Sequence, residues 1–102
     1  MQVKVKHTLG ALEAKARVEA EVERLLRERE QLREHVGERR WEGYVMWTTV
    51  NLPVFGARET SITVLDDSVE LVCDLPFVIN HLPPTKGARE EIRMLLSRAL
   101  IG

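Results

Sequence analysis

The residues with the widest chemical range are three histidines, one cysteine and a pair of aspartates. His7, His35 and His81 are scattered, and none has a second histidine or cysteine two to four residues away. A zinc site normally shows such spacing, so no metal site is expected. Cys73 alternates with Leu71 and Leu75, which marks it as a small core hydrophobe. A catalytic thiol needs a histidine and an electropositive setting, and nothing in the neighbouring sequence supplies them. Asp66 and Asp67 are adjacent and point to different sides of the backbone, so a hairpin turn explains both without acid–base chemistry. The glycines, at 10, 37, 43, 56, 87 and 102, never form a phosphate-cradling GxGxxG. The expectation is a protein with no catalytic centre, no metal and no cofactor.

The elements that must position these residues are legible from periodicity. Met1–His7 alternates: Val3, Val5 and His7 on one side, Gln2, Lys4 and Lys6 on the other. That is a half-buried strand whose lysines suit a sheet edge. From Thr8, a candidate helix N-cap, the period becomes helical. Ala11, Ala14, Val18, Val22, Leu25, Leu32 and Val36 form one stripe, interrupted at Arg29, and Gly37 is a natural stop. Glu13–Arg17 and Glu23–Arg27 are favourable pairs on the polar side. Uninterrupted, this helix is roughly 42 Å long, so part of it should overhang the sheet or pack on a second subunit.

Arg40–Val50 is aromatic and β-branched and predicts the second strand. Pro53 and Gly56 break the chain before the third, Ala57–Leu65. After the Asp66-Asp67-Ser68 turn, Val69, Leu71, Cys73 and Leu75 line one side of a fourth. Short connections make these strands an antiparallel meander. Leu75–Pro84 reads as an apolar crossover loop, and a last helix opens at Thr85 or Lys86 with Ala88, Ile92, Leu95, Leu96 and Ala99 as its stripe. The predicted fold is a single α+β domain spanning residues 1–102, in the order β-α-β-β-β-α. It has a four-stranded, mostly antiparallel sheet with two helices packed on one face.

The 102 residues are 44% hydrophobic and 30% charged, which places the chain among globular proteins and not disordered tails. Lysine and arginine number 15 against 16 aspartates and glutamates, a net charge of −1. That balance argues against a protein built to neutralise phosphates. Arg17, Arg24, Arg27, Arg29 and Arg33 are interleaved with glutamates, so no basic stripe forms and no nucleic-acid partner is expected. One cysteine, no long apolar run and no signal-like start point to a cytoplasmic protein without a transmembrane segment.

The predicted second strand carries large apolar groups on both sides: Trp41, Val45 and Trp47 on one, Tyr44, Met46 and Val50 on the other. Helices cover only one face of a sheet, so an apolar surface is expected on the other face. Such surfaces commonly mark an interface, and a homodimer is the first expectation. Candidate contact residues are Tyr44, Met46, Trp47 and Phe55, together with Phe77, Ile79 and Leu82 of the crossover loop.

Several short motifs recur in a set order. His7-Thr8-Leu9-Gly10 follows the opening strand, Trp41-Glu42-Gly43 opens the second, and Phe55-Gly56 precedes the third. Asp66-Asp67-Ser68-Val69-Glu70-Leu71 then leads into Asp74-Leu75-Pro76 before a closing amphipathic helix. In this order and over nearly its whole length the chain resembles the polyhydroxyalkanoic acid system proteins, small bacterial proteins often encoded near polyhydroxyalkanoate storage genes. The resemblance implies association with polyester storage granules or their protein machinery. It carries over no catalytic residue. His7, Leu9, Gly10, Trp41, Gly43, Gly56, Asp74, Leu75 and Pro76 match the pattern, and each has a structural explanation. Gly10 would let the opening strand and helix approach closely, and Leu75-Pro76 would end the last strand. Trp47, Cys73 and Pro83-Pro84 depart from the pattern.

The expected function is therefore that of a non-enzymatic polyhydroxyalkanoate-system protein, meeting the granule or its proteins through an apolar sheet face or loop. The alternatives are a dimeric adaptor and a small-ligand (acyl) binding domain, with Tyr44, His81 or Cys73 supplying polar groups in an apolar pocket. The predicted order is also similar to that of ribosome-hibernation factors, but the charge balance disfavours that function.

Overall fold

The computed structural model describes residues 1–52, 56–74 and 83–101. The elements are β1 (Gln2–Lys6), α1 (Ala11–Glu28), α2 (Glu30–His35), β2 (Arg40–Glu42), β3 (Val45–Leu52), β4 (Gly56–Val64), β5 (Ser68–Cys73) and α3 (Pro83–Ala99). The α+β class and the antiparallel meander hold, but the described residues form five strands and three helices where four and two were expected. The strand order is β1-β5-β4-β3-β2, and every neighbouring pair is antiparallel.

Both extra elements arise where an apolar pattern runs through a backbone break. The helical stripe spans residues 11 to 36, but Arg29 is extended, at φ −115° and ψ 94°, and splits it into α1 and α2. Arg29 is the residue that interrupts the stripe: an arginine at a core-facing position gives the helix no reason to continue straight. Eighteen residues of α1 span about 27 Å, within the 37 Å long axis of the molecule, so no overhang is required. Likewise Arg40–Val50 is a hairpin and not one strand. Gly43 takes φ 62°, which two-residue hairpin turns require at their first central position, and Glu42 then pairs with Val45.

Two expected helix signals act differently. The N-cap of α1 is Gly10, at φ 80°, and Thr8 precedes it. A Cβ on Gly10 would meet nothing within 4 Å, so backbone conformation and not close approach explains this glycine. Gly37 is not a left-handed cap either, since Val36 ends α2 in an extended conformation. The Gly37 N–H donates to Thr49 O at 2.8 Å.

That bond begins an irregular edge. Val36 bridges Val50, while Arg40 pairs with Trp47. Between these contacts two residues, Glu38 and Arg39, stand opposite the single Thr48, which is a β-bulge. The stretch from Val36 to Glu42 is thus one edge strand with an extra residue in it.

The core lies between the sheet and the helices. Val3 and Val5 of β1, Met46 of β3, Ile62 and Val64 of β4 and Val69 of β5 are buried against Ala14 and Val18 of α1 and Leu96 and Leu100 at the end of α3. The alternation expected for β1 and β4 is observed, and Lys4 and Lys6 are exposed at the sheet edge. α3 begins at Pro83, so the proline pair opens the helix instead of closing the loop. Prolines are tolerated there because first-turn N–H groups lack intrahelical acceptors.

Candidate functional site

The hairpin at Gly43 decides which aromatic side chains reach the outer face. A two-residue turn places Trp41 opposite Met46, so the two share a face. That is the helix side, where Met46 is 2% exposed and Trp41 packs against the core. A continuous strand would have grouped Trp41 with Trp47. Instead Trp47 is alone among the tryptophans on the outer face, beside Val45 and across from Arg40 and Ser61.

The rest of that face is largely polar. It carries Gln2, Lys4 and Lys6 of β1, Glu70 and the exposed Val72 of β5, Ser61 and Thr63 of β4, and Thr49 and Asn51 of β3. Gln2 Nε2 donates to Glu70 Oε1 at 2.7 Å across the β1–β5 pair. The broad apolar surface expected there is absent among the described residues. What remains is local: an open groove of about 550 Å³ beside the bulge. Trp47 and Ala57 are its apolar lining, Arg40 and Arg39 its cations, and Glu38 and Glu59 its anions.

The bulge aims consecutive arginines at different targets. Arg40 stays on the outer face, reaching Glu42 at 3.0 Å. Arg39 turns to α1, donating to Glu19 Oε1 at 2.8 Å and lying 3.6 Å from Glu23. Glu19 also accepts from Trp41 Nε1. Partial burial works against the Glu19 charge. The hydrogen bonds from Trp41 and Arg39, with the charges of Arg39 and Lys15, outweigh it and hold the carboxyl below its usual range. One turn earlier, Lys15 Nζ donates to Gly43 O at 2.7 Å and sits 4.8 Å from the Trp41 ring centre and 5.5 Å from that of Tyr44. These cation–π and ionic contacts clasp α1 to the hairpin. Tyr44 is 43% exposed at the turn, outside the groove.

The remaining candidates are placed as follows. His7 is buried; its Nδ1 accepts from the Leu9 N–H at 3.1 Å, so its Nε2–H donates to Leu65 O at 3.0 Å. It joins the start of α1 to the β4–β5 turn. Leu9 packs against the core. His35 is exposed in the last turn of α2. Cys73 is buried at the end of β5. Asp74 is exposed, and its N–H donates to Glu59 O at 3.1 Å. Glu13–Arg17 forms at 3.0 Å, whereas Glu23 faces Arg39 and not Arg27. Phe55, Leu75, Pro76, Phe77, Ile79, His81 and Leu82 lie outside the described residues.

Met46 cannot meet a partner, and the structure brings only Trp47 of the described contact candidates into a groove. Glu19, Arg39 and Glu59 were missed. The available signal was Lys15 and Glu19 one turn apart on α1, facing a tryptophan-rich hairpin with its own arginine pair. Among the described residues no group of three His, Cys, Asp or Glu side chains is placed to hold a metal ion. No described helix is long and apolar enough to cross a membrane. A scan against protein-family models, a search of curated proteins and a search of solved structures each return no match to this chain.

Proposed function

We propose that this chain is a non-enzymatic binding domain of the bacterial polyhydroxyalkanoate system that attaches to the surface of cytoplasmic storage granules through the groove at Trp47. The motif order described above supports the system. The observation that carries the contact is the groove itself, a half-buried indole between arginine and threonine donors on the side of the sheet away from the helices. An aliphatic polyester offers alkyl segments to stack on an indole and ester carbonyls to accept from arginine, so the lining matches its chemistry.

Co-pelleting with polyhydroxybutyrate granules tests the proposal, with an unrelated soluble protein as control. Binding should persist at high salt, because screening weakens ionic attachment and leaves apolar contact. Trp47→Ala should abolish pelleting while circular dichroism stays unchanged. A folded Trp47→Ala variant that still pellets would show the groove assignment to be wrong.

Self-association belongs to the same reading. Leu12 on α1 and Met94 on α3 are 76% and 63% exposed, and these are apolar side chains a second copy would cover. Sedimentation over a range of protein concentrations should show a dimer.

A further inference from the structure

The two borders of the sheet differ in regularity. The β2 border carries the bulge at Glu38 and Arg39, whereas β1 pairs with β5 without interruption from Gln2 to Lys6. The Cys73 N–H donates to Met1 O at 2.8 Å and the His7 N–H to Asp67 O at 2.9 Å, so both ends of this pairing are hydrogen-bonded pairs. Such pairs alternate along an antiparallel ladder. The backbone groups of Val3 and Val5 therefore turn toward β5, and those of Gln2, Lys4 and Lys6 turn outward. The Lys4 carbonyl shows this polarity directly, since Arg93 of α3 donates to it from outside the sheet at 3.3 Å. Among the described residues no strand lies beyond β1. An open row of backbone donors and acceptors is a template for an added strand.

The side chains along that row are cationic. Lys4 and Lys6 are exposed, and neither is in an ion pair among the described residues. Glu70 stands opposite Lys4 but accepts from Gln2 at 2.7 Å. Arg93 overhangs the same edge from the helix side and meets Glu90 only at 3.8 Å. A second copy of this chain fits the row poorly. Two β1 strands paired antiparallel about Lys4 would set Lys4 against Lys4 and Lys6 against Gln2, with no anion for either cation. Like charges directly opposite each other destabilise a sheet. An acidic strand fits well, because carboxylates two residues apart fall opposite Lys4 and Lys6 on one face. Its N–H would take the Lys4 carbonyl, releasing the Arg93 guanidinium toward the same anions.

We infer that β1 is a docking edge for an extended acidic segment of another protein, which joins the sheet beside β1 with alternate carboxylates on Lys4 and Lys6. Backbone pairing supplies the attachment, and the lysines select the partner by charge. β1 lies at the opposite border of the sheet from β2 and the Trp47 groove, so this contact stands or falls independently of granule attachment.

Amide hydrogen exchange of the intact chain, followed residue by residue by NMR, tests the inference. The probes are an end-blocked peptide Thr-Glu-Val-Glu-Val-Thr and its counterpart with lysine in place of glutamate. Without peptide, the Lys4 and Lys6 N–H groups should exchange fast while those of Val3 and Val5 are protected. Millimolar acidic peptide should slow Lys4 and Lys6 about tenfold or more, and the lysine peptide should bind about tenfold or more weakly. Salt should weaken the acidic peptide, whereas granule pelleting should survive it. Lys4→Glu combined with Lys6→Glu, both at exposed positions, should reverse the preference between the peptides. That double variant should still pellet with granules, and Trp47→Ala should still bind the acidic peptide, so the two readings fail separately. Should the double variant not fold, the unaltered protein decides through the two peptides alone. Protection of Lys4 and Lys6 without peptide, no slowing by the acidic peptide, or equal binding of both peptides would overturn the assignment.

Discussion

The two ends of the layer between sheet and helices are built on different terms. At the end near Gly10 and the β4–β5 turn, β-branched side chains from three strands meet Ala14, Val18, Leu96 and Leu100, and the buried histidine there has both ring nitrogens satisfied. At the other end the strands present Thr48, Thr60, Cys73 and Arg58, and the α1 stripe contributes only half-buried Val22 and Leu25. One end is closed by shape, with both ring nitrogens of His7 satisfied, although the buried Ser68 hydroxyl there has no partner. The other keeps polar groups in reserve. The difference separates the residues that hold the fold from those free to do something else.

Substitutions at each end should sharpen that contrast. The largest loss is expected at the packed end: Leu96→Ala removes a side chain that is 6% exposed and should cost about 2–4 kcal/mol in urea denaturation. His7→Leu leaves the Leu9 N–H and Leu65 carbonyl without their partner, a cost of about 1–3 kcal/mol by the same measurement. Glu19→Gln lies on the clasp between the layers and should cost about 1 kcal/mol. Its effect also depends on pH. Because the folded carboxyl titrates below its usual range, the clasp is at full strength above that range. It weakens as pH falls through the lowered value, so the difference between wild type and Glu19→Gln should shrink on acidification. Smallest is Thr60→Val. It deletes a buried hydroxyl that has no partner, so stability should be unchanged or rise by roughly 1 kcal/mol. A loss as large as that of Leu96→Ala would erase the distinction between the two ends.

Much of this was legible in the sequence because burial imposes a period. Val3 and Val5 alternate with lysines, Ile62 and Val64 with Ser61 and Thr63, and Ala14, Val18 and Val22 keep helical spacing. Breaks that leave the apolar pattern intact were harder to see. Gly43 is one residue in an otherwise strand-like run, yet the turn there reverses which face Trp41 belongs to, moving Met46 into the core and leaving the outer face mostly polar. Arg29 was visible as an interruption, but a missing apolar residue does not reveal whether the backbone bends. The candidate site was the least legible part. The clasp of Lys15, Glu19, Arg39 and Trp41 joins α1 to residues 20 or more positions away. No local spacing encodes it.

The extra residue at Glu38–Arg39 matters most where many copies crowd together. A regular strand at that border would offer an even ladder of backbone groups to any neighbouring copy, the template from which sheets grow into fibrils. With two residues set against Thr48 the ladder loses its register, and the two side chains at the fault are charged. A protein gathered densely on a surface can then remain a layer of separate molecules instead of knitting into a continuous sheet.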